Sequence, residues 1–212
     1  MDNVPEAFVV VKLGGAEGLD FSAICSDAAR LIEQGQQIIL VHGGSNEANQ
    51  LGQALGSPAR FITSPSGFTS RYTDRHTLEI FIMAVNGKIN TFLVEQLQQV
   101  GVNAFGLSGL DGRMMVAVRK EAVHSIEDGK RKIIRDDFTG KIESVNSNLL
   151  QSLLASGFTP VIQPLAISEE SDALNVDADR AAAVIAGALG AQRLILLTNV
   201  PGLMKNFPDE ST

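Results

Sequence analysis

Lys12 stands in VVVKLGG, within a stretch that otherwise has nothing to ionise. A lysine in an apolar strand is costly unless its ammonium emerges at a site or meets a partner. Two glycines follow it, Gly14 and Gly15, and the arrangement returns in IILVHGG, where Gly43 and Gly44 follow His42. Glycines at a strand end let backbone N–H groups approach an anion closely, and a following helix N-terminus adds partial positive charge. Two such turns, one carrying a lysine, make a phosphate cradle; either alone is equally a tight turn.

Two further stretches could supply substrate contacts. In DALNVDADRAAAVIAGALGA, Asn175, Asp177 and Asp179 lie in an extended lead-in to an alanine-rich helix. Asp177 or Asp179 can cap that helix, or one carboxylate can orient Lys12 while the Asn175 amide meets a substrate; spacing leaves both open. In SPSGFTSRYTD, Arg71 is a single arginine in a loop of glycine, proline and hydroxyl residues. It is either a solvated surface charge or a clamp, since a guanidinium makes two parallel hydrogen bonds to a carboxylate.

Other chemistries are missing. His42, His76 and His124 fall on different elements, with no H-E-x-x-H, no Cys/His set and no Ser-His-Asp spacing, so no metal-ligand site is expected. Neither G-x-G-x-x-G nor G-x-x-x-x-G-K-[ST] occurs, which disfavours a dinucleotide oxidoreductase and a P-loop enzyme.

The elements that must position these residues alternate between short β-branched runs and helical stretches, the signature of a mainly parallel sheet with crossover helices in an α/β fold. Strands are predicted at 7–13, 36–44, 103–106, 159–166 and 193–200, and helices at 21–34, 46–55, 147–156 and 178–189. A long helical pattern runs from Thr73 to about Val100, capped by Thr73 or Asp74, with a break near Gly87. RMMVAVRK and KRKIIRDDFTGKIESV interrupt the rhythm as antiparallel strands and hairpins.

The 212 residues carry 17 basic and 24 acidic side chains, a net charge of -7, which argues against nucleic acid or an anionic membrane as the main partner. One cysteine, Cys25, excludes an internal disulfide and fits a reducing cytoplasm. Its place on the inward face of the first helix reads as a small buried hydrophobe. No apolar run approaches the ~20 residues that span a bilayer, and the first residues lack a basic signal-peptide start.

In order, VVVKLGG, IILVHGG, GFTSRYTD, LNVDADRAAA and LILLTNVPGL resemble the amino acid kinase family, in its N-acetylglutamate kinase branch. The segments SPSGFTSRYTD…GKIN and KIIRDDFTGKIESVN look most like the carrier-dependent members, the LysW-aminoadipate/LysW-glutamate kinases. The resemblance implies a three-layer sandwich of the carbamate kinase-like type, with residues 1–170 as the amino-acid-substrate lobe and 171–212 as the start of the ATP-binding lobe. It implies ATP-dependent phosphorylation of the side-chain carboxylate of an aminoadipyl or glutamyl group borne by the small acidic carrier LysW. N-acetylglutamate kinase is the alternative, and a shortened, non-catalytic amino-acid or nucleotide-binding module the alternative of another class.

Carried over by motif, Lys12 contacts the transferring phosphoryl group, Gly14 and Gly15 line the phosphate turn, and Gly43 and Gly44 meet substrate and transition-state oxygens. Arg71 grips the substrate's α-carboxylate and Asn175 its main-chain end, while Asp179 orients the lysine. Thr198, Asn199 and Gly202 sit beside the nucleotide, and Mg2+ rides between the ATP phosphates without a protein cage. Lys130, Arg131, Lys132, Arg135 and Lys141 form a basic patch suited to an acidic carrier, or a solvated hairpin. A cytoplasmic homodimer is implied. The family pattern also continues past Thr212 to a second phosphate-binding lysine, for which Lys205 comes too early, so the C-terminal part of the fold is expected to be missing here.

Overall fold

The computed structural model describes residues 8–15, 18–65, 67, 69–127 and 130–199. Its centre is a five-stranded parallel sheet built from β1 (Phe8–Leu13), β2 (Gln37–His42), β5 (Ala104–Leu107), β10 (Thr159–Ile162) and β13 (Arg193–Leu197), in the order β13-β1-β2-β10-β5. Side chains alternate across a strand, and here the alternation divides the core in two. Val10, Ile39, Val41 and Ile162 face α5 (Ser147–Ala155) and α6 (Ala178–Leu189). Val9, Val11, Ile38, Leu40 and Val161 face α1 (Phe21–Glu33) and α4 (Thr91–Gln99). Apolar residues on both faces are what a covered parallel sheet requires, and the result is the expected three-layer α/β sandwich.

Cys25, Ala28 and Ala29 are the buried residues of α1. Burial pushes the Cys25 thiol up to about 11, so the thiolate is suppressed and the residue acts as a small hydrophobe.

A second, four-stranded sheet, β12-β11-β6-β9, joins β6 (Met115–Arg119), β9 (Gly140–Val145), β11 (Leu165–Ile167) and β12 (Ala173–Asn175). Two hairpins stand apart: β3 (Phe61–Thr63) with β4 (Thr69–Arg71), and β7 (Val123–Glu127) with β8 (Lys130–Ile134). The antiparallel character expected of 113–145 is present in β6–β9 and β7–β8.

Three expectations change. Residues 159–166 form two strands in two sheets, β10 and β11, divided at Gln163 and Pro164. Arg71 ends a strand rather than lying in a loop. The helical run does not break near Gly87: α3 (Arg75–Ile82) passes through a π-helical segment, Met83–Asn90, into α4. By length and composition this run of 25 residues could cross a bilayer. Leu78, Phe81, Ala84, Val85, Leu93 and Leu97 are instead packed in the protein's own cores.

Candidate functional site

In a parallel sheet the carboxyl ends of all strands gather at one edge, where loops can form a site. Phe8, Val10 and Lys12 share one face of β1, and Val10 packs with Ala181, Ala182 and Ile185 of α6. Lys12, two residues further on, therefore emerges at the start of that helix. Its Nζ lies 2.8 Å from Asp179 Oδ1, with the lysine side chain 11% exposed and the carboxylate 57% exposed. A buried ammonium is thus met by a carboxylate that keeps most of its hydration. The acidic lead-in is divided between two residues: Asp177 caps α6 by accepting from Arg180 N at 2.8 Å, and Asp179 lies against Lys12.

The glycine turns pack backbone against backbone. A Cβ on Gly15 would overlap the Gly44 amide nitrogen, and one on Gly43 would lie 2.6 Å from Gly15 N. Gly14 N–H donates to Leu197 O at 2.9 Å and Gly43 N–H to Leu13 O at 2.8 Å, so these two amides extend the sheet. Among the described residues, the Gly15 and Gly44 amides have no acceptor. The helix after the second turn, α2 (Ser45–Ala54), begins at Gly44 without a side-chain cap. Uncapped N–H groups and the helix dipole make that end receptive to an anion.

Arg71 leans over the same end. Its Nη2 donates to Ser45 O at 3.1 Å, and its guanidinium stacks over Phe61 and Phe81 with ring-centroid distances of 5.3 and 6.0 Å. The residue is 9% exposed, and among the described residues it pairs with no carboxylate. Burial lowers its pKa, yet an arginine keeps its charge at physiological pH. A buried cation without a counterion invites an anionic ligand.

These groups close into one circuit. Asn175 Nδ2 donates to Thr73 Oγ1 at 3.2 Å, Thr73 Oγ1 donates to Arg71 O at 3.2 Å, and Ser45 Oγ donates to Gly15 O at 3.2 Å. With the Arg71–Ser45 and Lys12–Asp179 contacts, the path runs from the first glycine turn through Ser45 to Arg71, Thr73 and Asn175, from which the chain itself leads to Asp179 and Lys12. Thr198 joins at the end of β13, its Cα 3.7 Å from where a Gly14 Cβ would stand. Asn199 follows it, exposed; Gly202 lies outside the described residues.

Asp137 was not foreseen. It is 2% exposed and accepts from Thr73 N at 3.1 Å, from Thr139 N at 2.8 Å and from the Thr139 hydroxyl, tying the β8–β9 connection to the segment after Arg71. Its signal is D-x-T, an aspartate that bonds the backbone two residues on, hidden within a charged hairpin. Among the described residues, no three His, Cys, Asp or Glu side chains form a metal-binding group.

The amino acid kinase family model matches residues 7–212, and the chain belongs to that family. It is 54% identical over 204 residues to a [LysW]-aminoadipate kinase of Deinococcus radiodurans, covering 96% of this chain and 70% of that protein. An acetylglutamate kinase of Methanopyrus kandleri is 40% identical over 203 residues, 96% of this chain and 76% of its own length. Among solved structures, smu.665 from Streptococcus mutans UA159 matches with a TM-score of 0.77 at 26% identity, over 94% of this chain and 75% of that one. The chain is a kinase, and the α/β sandwich is the fold it shares with these relatives.

Proposed function

We propose that the chain transfers the γ-phosphoryl group of ATP to the side-chain carboxylate of an aminoadipyl or glutamyl group carried by LysW. The observation that carries this reading is the 54% identity to a [LysW]-aminoadipate kinase along 96% of the chain. A carboxylate is already ionised at neutral pH, so its oxygen attacks phosphorus without a general base, the bond from the γ-phosphorus to the bridging oxygen breaks, and ADP leaves. The work left to the protein is alignment and charge neutralisation.

In this reading Arg71 grips the α-carboxylate of the amino acid and Asn175 meets its main-chain end. Lys12, oriented by Asp179, meets the transferring phosphoryl group, with Gly14 and Gly15 beneath it and Gly43 and Gly44 on the substrate side. Thr198, Asn199 and Gly202 flank the nucleotide, whose lobe begins near residue 171. Mg2+ carried by the nucleotide would supply further neutralisation of phosphate charge, held by ATP rather than by a cage of this chain's residues.

The basic residues Lys130, Arg131 and Lys132 on β8, Arg135 after it and Lys141 on β9 are all exposed, and β7 of the β7–β8 hairpin lies against β3, whose partner strand ends at Arg71. The three basic residues on β8 suit an acidic carrier, whereas Arg135 lines a cleft with Glu121, Glu169, Glu170 and Asp172. N-acetylglutamate phosphorylation is the second reading, favoured by the acetylglutamate kinase likeness.

The test supplies ATP with aminoadipyl-LysW or with free N-acetylglutamate and traps the acyl phosphate with hydroxylamine. Hydroxamate on the carrier substrate is expected. Efficient turnover of N-acetylglutamate alone would remove the carrier reading. No turnover of either, with no heat of binding from an ATP analogue, would point to a non-catalytic module.

A further inference from the structure

His42 is fully buried beneath the Gly43–Gly44 turn, and its surroundings determine where its single proton sits. Asn90 Nδ2 lies 2.9 Å from Val161 O and 3.1 Å from His42 Nε2. A backbone carbonyl only accepts, so the nitrogen of the Asn90 amide, with its two hydrogens, faces both groups. His42 Nε2 then accepts, and the proton resides on Nδ1. That nitrogen is 2.8 Å from the carbonyl oxygen of Gly43, to which it donates. Desolvation by burial, only partly opposed by this bond, pushes the imidazole pKa down to about 4, in keeping with one proton on the ring.

The consequence lies in the peptide unit. A trans peptide is planar, so the Gly43 C=O and the Gly44 N–H, which belong to one unit, point in opposite directions. Holding the carbonyl against a buried imidazole turns the Gly44 N–H the other way, and among the described residues nothing accepts from it. Glycine at position 15 keeps that amide open, since a Cβ there would overlap Gly44 N.

The π-helical segment holds the other side of the same turn. A π-helix repeats on i to i+5 rather than i+4, which brings Val85 and Asn90 toward one face. A Cβ on Gly44 would meet Val85 Cγ1 at 2.5 Å and Ile89 Cδ1 at 2.9 Å, so the turn is seated against this segment. Asn90 ends it, 5% exposed, with its Oδ1 fitted where a Cβ on Gly106 would stand. An α-helical continuation would rotate Asn90 away from His42 while leaving Val85 in place.

We propose that Asn90, His42 and the π-helical segment form a positioning relay that aims the Gly44 N–H at the phosphoryl oxygens in transfer. His42 and Asn90 touch neither substrate nor nucleotide in this scheme; they act through the Gly43–Gly44 peptide. The proposal rests on the kinase reading for its target, but the relay has a readout of its own.

Nitrogen-15 NMR of the full chain distinguishes the two ring nitrogens. Nδ1 protonated and Nε2 as acceptor is the expected state near neutral pH; the opposite tautomer overturns the relay. His42→Asn keeps an amide donor near the Nδ1 position, whereas His42→Leu keeps none. His42→Leu should move the Gly44 amide resonance and lower kcat by ~10- to 100-fold with KM changed less than about 3-fold, as misplacement of one catalytic contact does. His42→Asn should recover most of that loss. Equal kcat in the two variants, or a Gly44 amide unmoved by His42→Leu, overturns the proposal. If His42→Leu does not fold, the wild-type tautomer decides alone. An inactive wild type with the expected tautomer removes the kinase reading and leaves the geometry of the relay standing.

Discussion

Acidification should destabilise this protein through one identifiable group. His42 has an ordinary imidazole value of 6.5 when unfolded and about 4 when folded, lowered chiefly by desolvation. Between those values the unfolded chain takes up a proton that the folded chain refuses, so the contribution is fully present above pH 6.5 and is lost as pH falls through that window. At pH 5.0 the unfolded state favours protonation by a factor of about 30, worth roughly 2 kcal/mol; below pH 4 the loss levels off at about 3 kcal/mol, 2.5 units at 1.36 kcal/mol each. A domain with total stability of ~5–15 kcal/mol feels this clearly.

The assay is urea unfolding of the wild type and His42→Asn at pH 7.5 and 5.0. Substitution shifts the baseline of both curves, and the double difference cancels every other titrating group that it leaves undisturbed. The wild type should lose about 2 kcal/mol more than the variant between the two pH values. Equal losses would refute the argument, because a histidine that charges freely in the folded state contributes no such slope.

Further consequences follow for neighbouring positions. Gly15→Ala places a methyl on the Gly44 amide nitrogen and 2.8 Å from Gly43 C, so thermal unfolding should fall by the equivalent of ~1–3 kcal/mol, with activity lost as well. Asp179→Asn takes the carboxylate from a buried ammonium and should lower thermal unfolding by the equivalent of ~1–3 kcal/mol, while kcat drops by ~10-fold or more, since Lys12 loses its orientation. Arg71→Lys forfeits the planar fork and should raise KM for the amino-acid substrate by ~10- to 100-fold, the equivalent of one strong charge-assisted hydrogen bond. Asp137→Ala strands the buried amide of Thr73 and should cost ~1–3 kcal/mol in chemical denaturation, a loss that an active-site role alone would not produce.

What could be read from residues alone was whatever local chemistry decides. The helix expected at 178–189 is found at those limits because Asp177 caps its start and Gly190, at φ 62°, ends it in the left-handed conformation that glycine takes most readily. Lys12 was conspicuous because a charge in an apolar strand demands an explanation, and β1 supplies one at its carboxyl end. Arg71 was legible as a candidate clamp but not as a strand residue: a three-residue strand leaves no period to detect, and its partner Phe61–Thr63 is as short. The π-helical segment was read as a break because Gly87 is a weak helix former, whereas the packing of Val85, Ile89 and Asn90 on the second glycine turn comes from tertiary structure. Of the Asp137 contacts only the D-x-T turn is local, whereas its partner at Thr73 is 64 residues away.

Lys12 and Arg71 are supported in opposite ways, and under the proposed function that difference would divide their work. Lys12 has a carboxylate at 2.8 Å and is already compensated without ligand; an incoming phosphoryl group must compete with Asp179 for it. In the proposed reaction its contribution would be largest where the transferring group, in line between the attacking and leaving oxygens, comes nearest the ammonium, which would favour the transition state over the ground state. Arg71 has only a carbonyl and two aromatic rings, so in the proposed reaction its charge would be met when a substrate carboxylate arrives, before any bond changes. Binding energy of that kind is spent on holding the substrate equally well throughout the reaction. The -7 overall charge is no obstacle to such a site, because the fields that matter come from a few groups at one sheet edge: one compensated ammonium, one uncompensated guanidinium and an uncapped helix end.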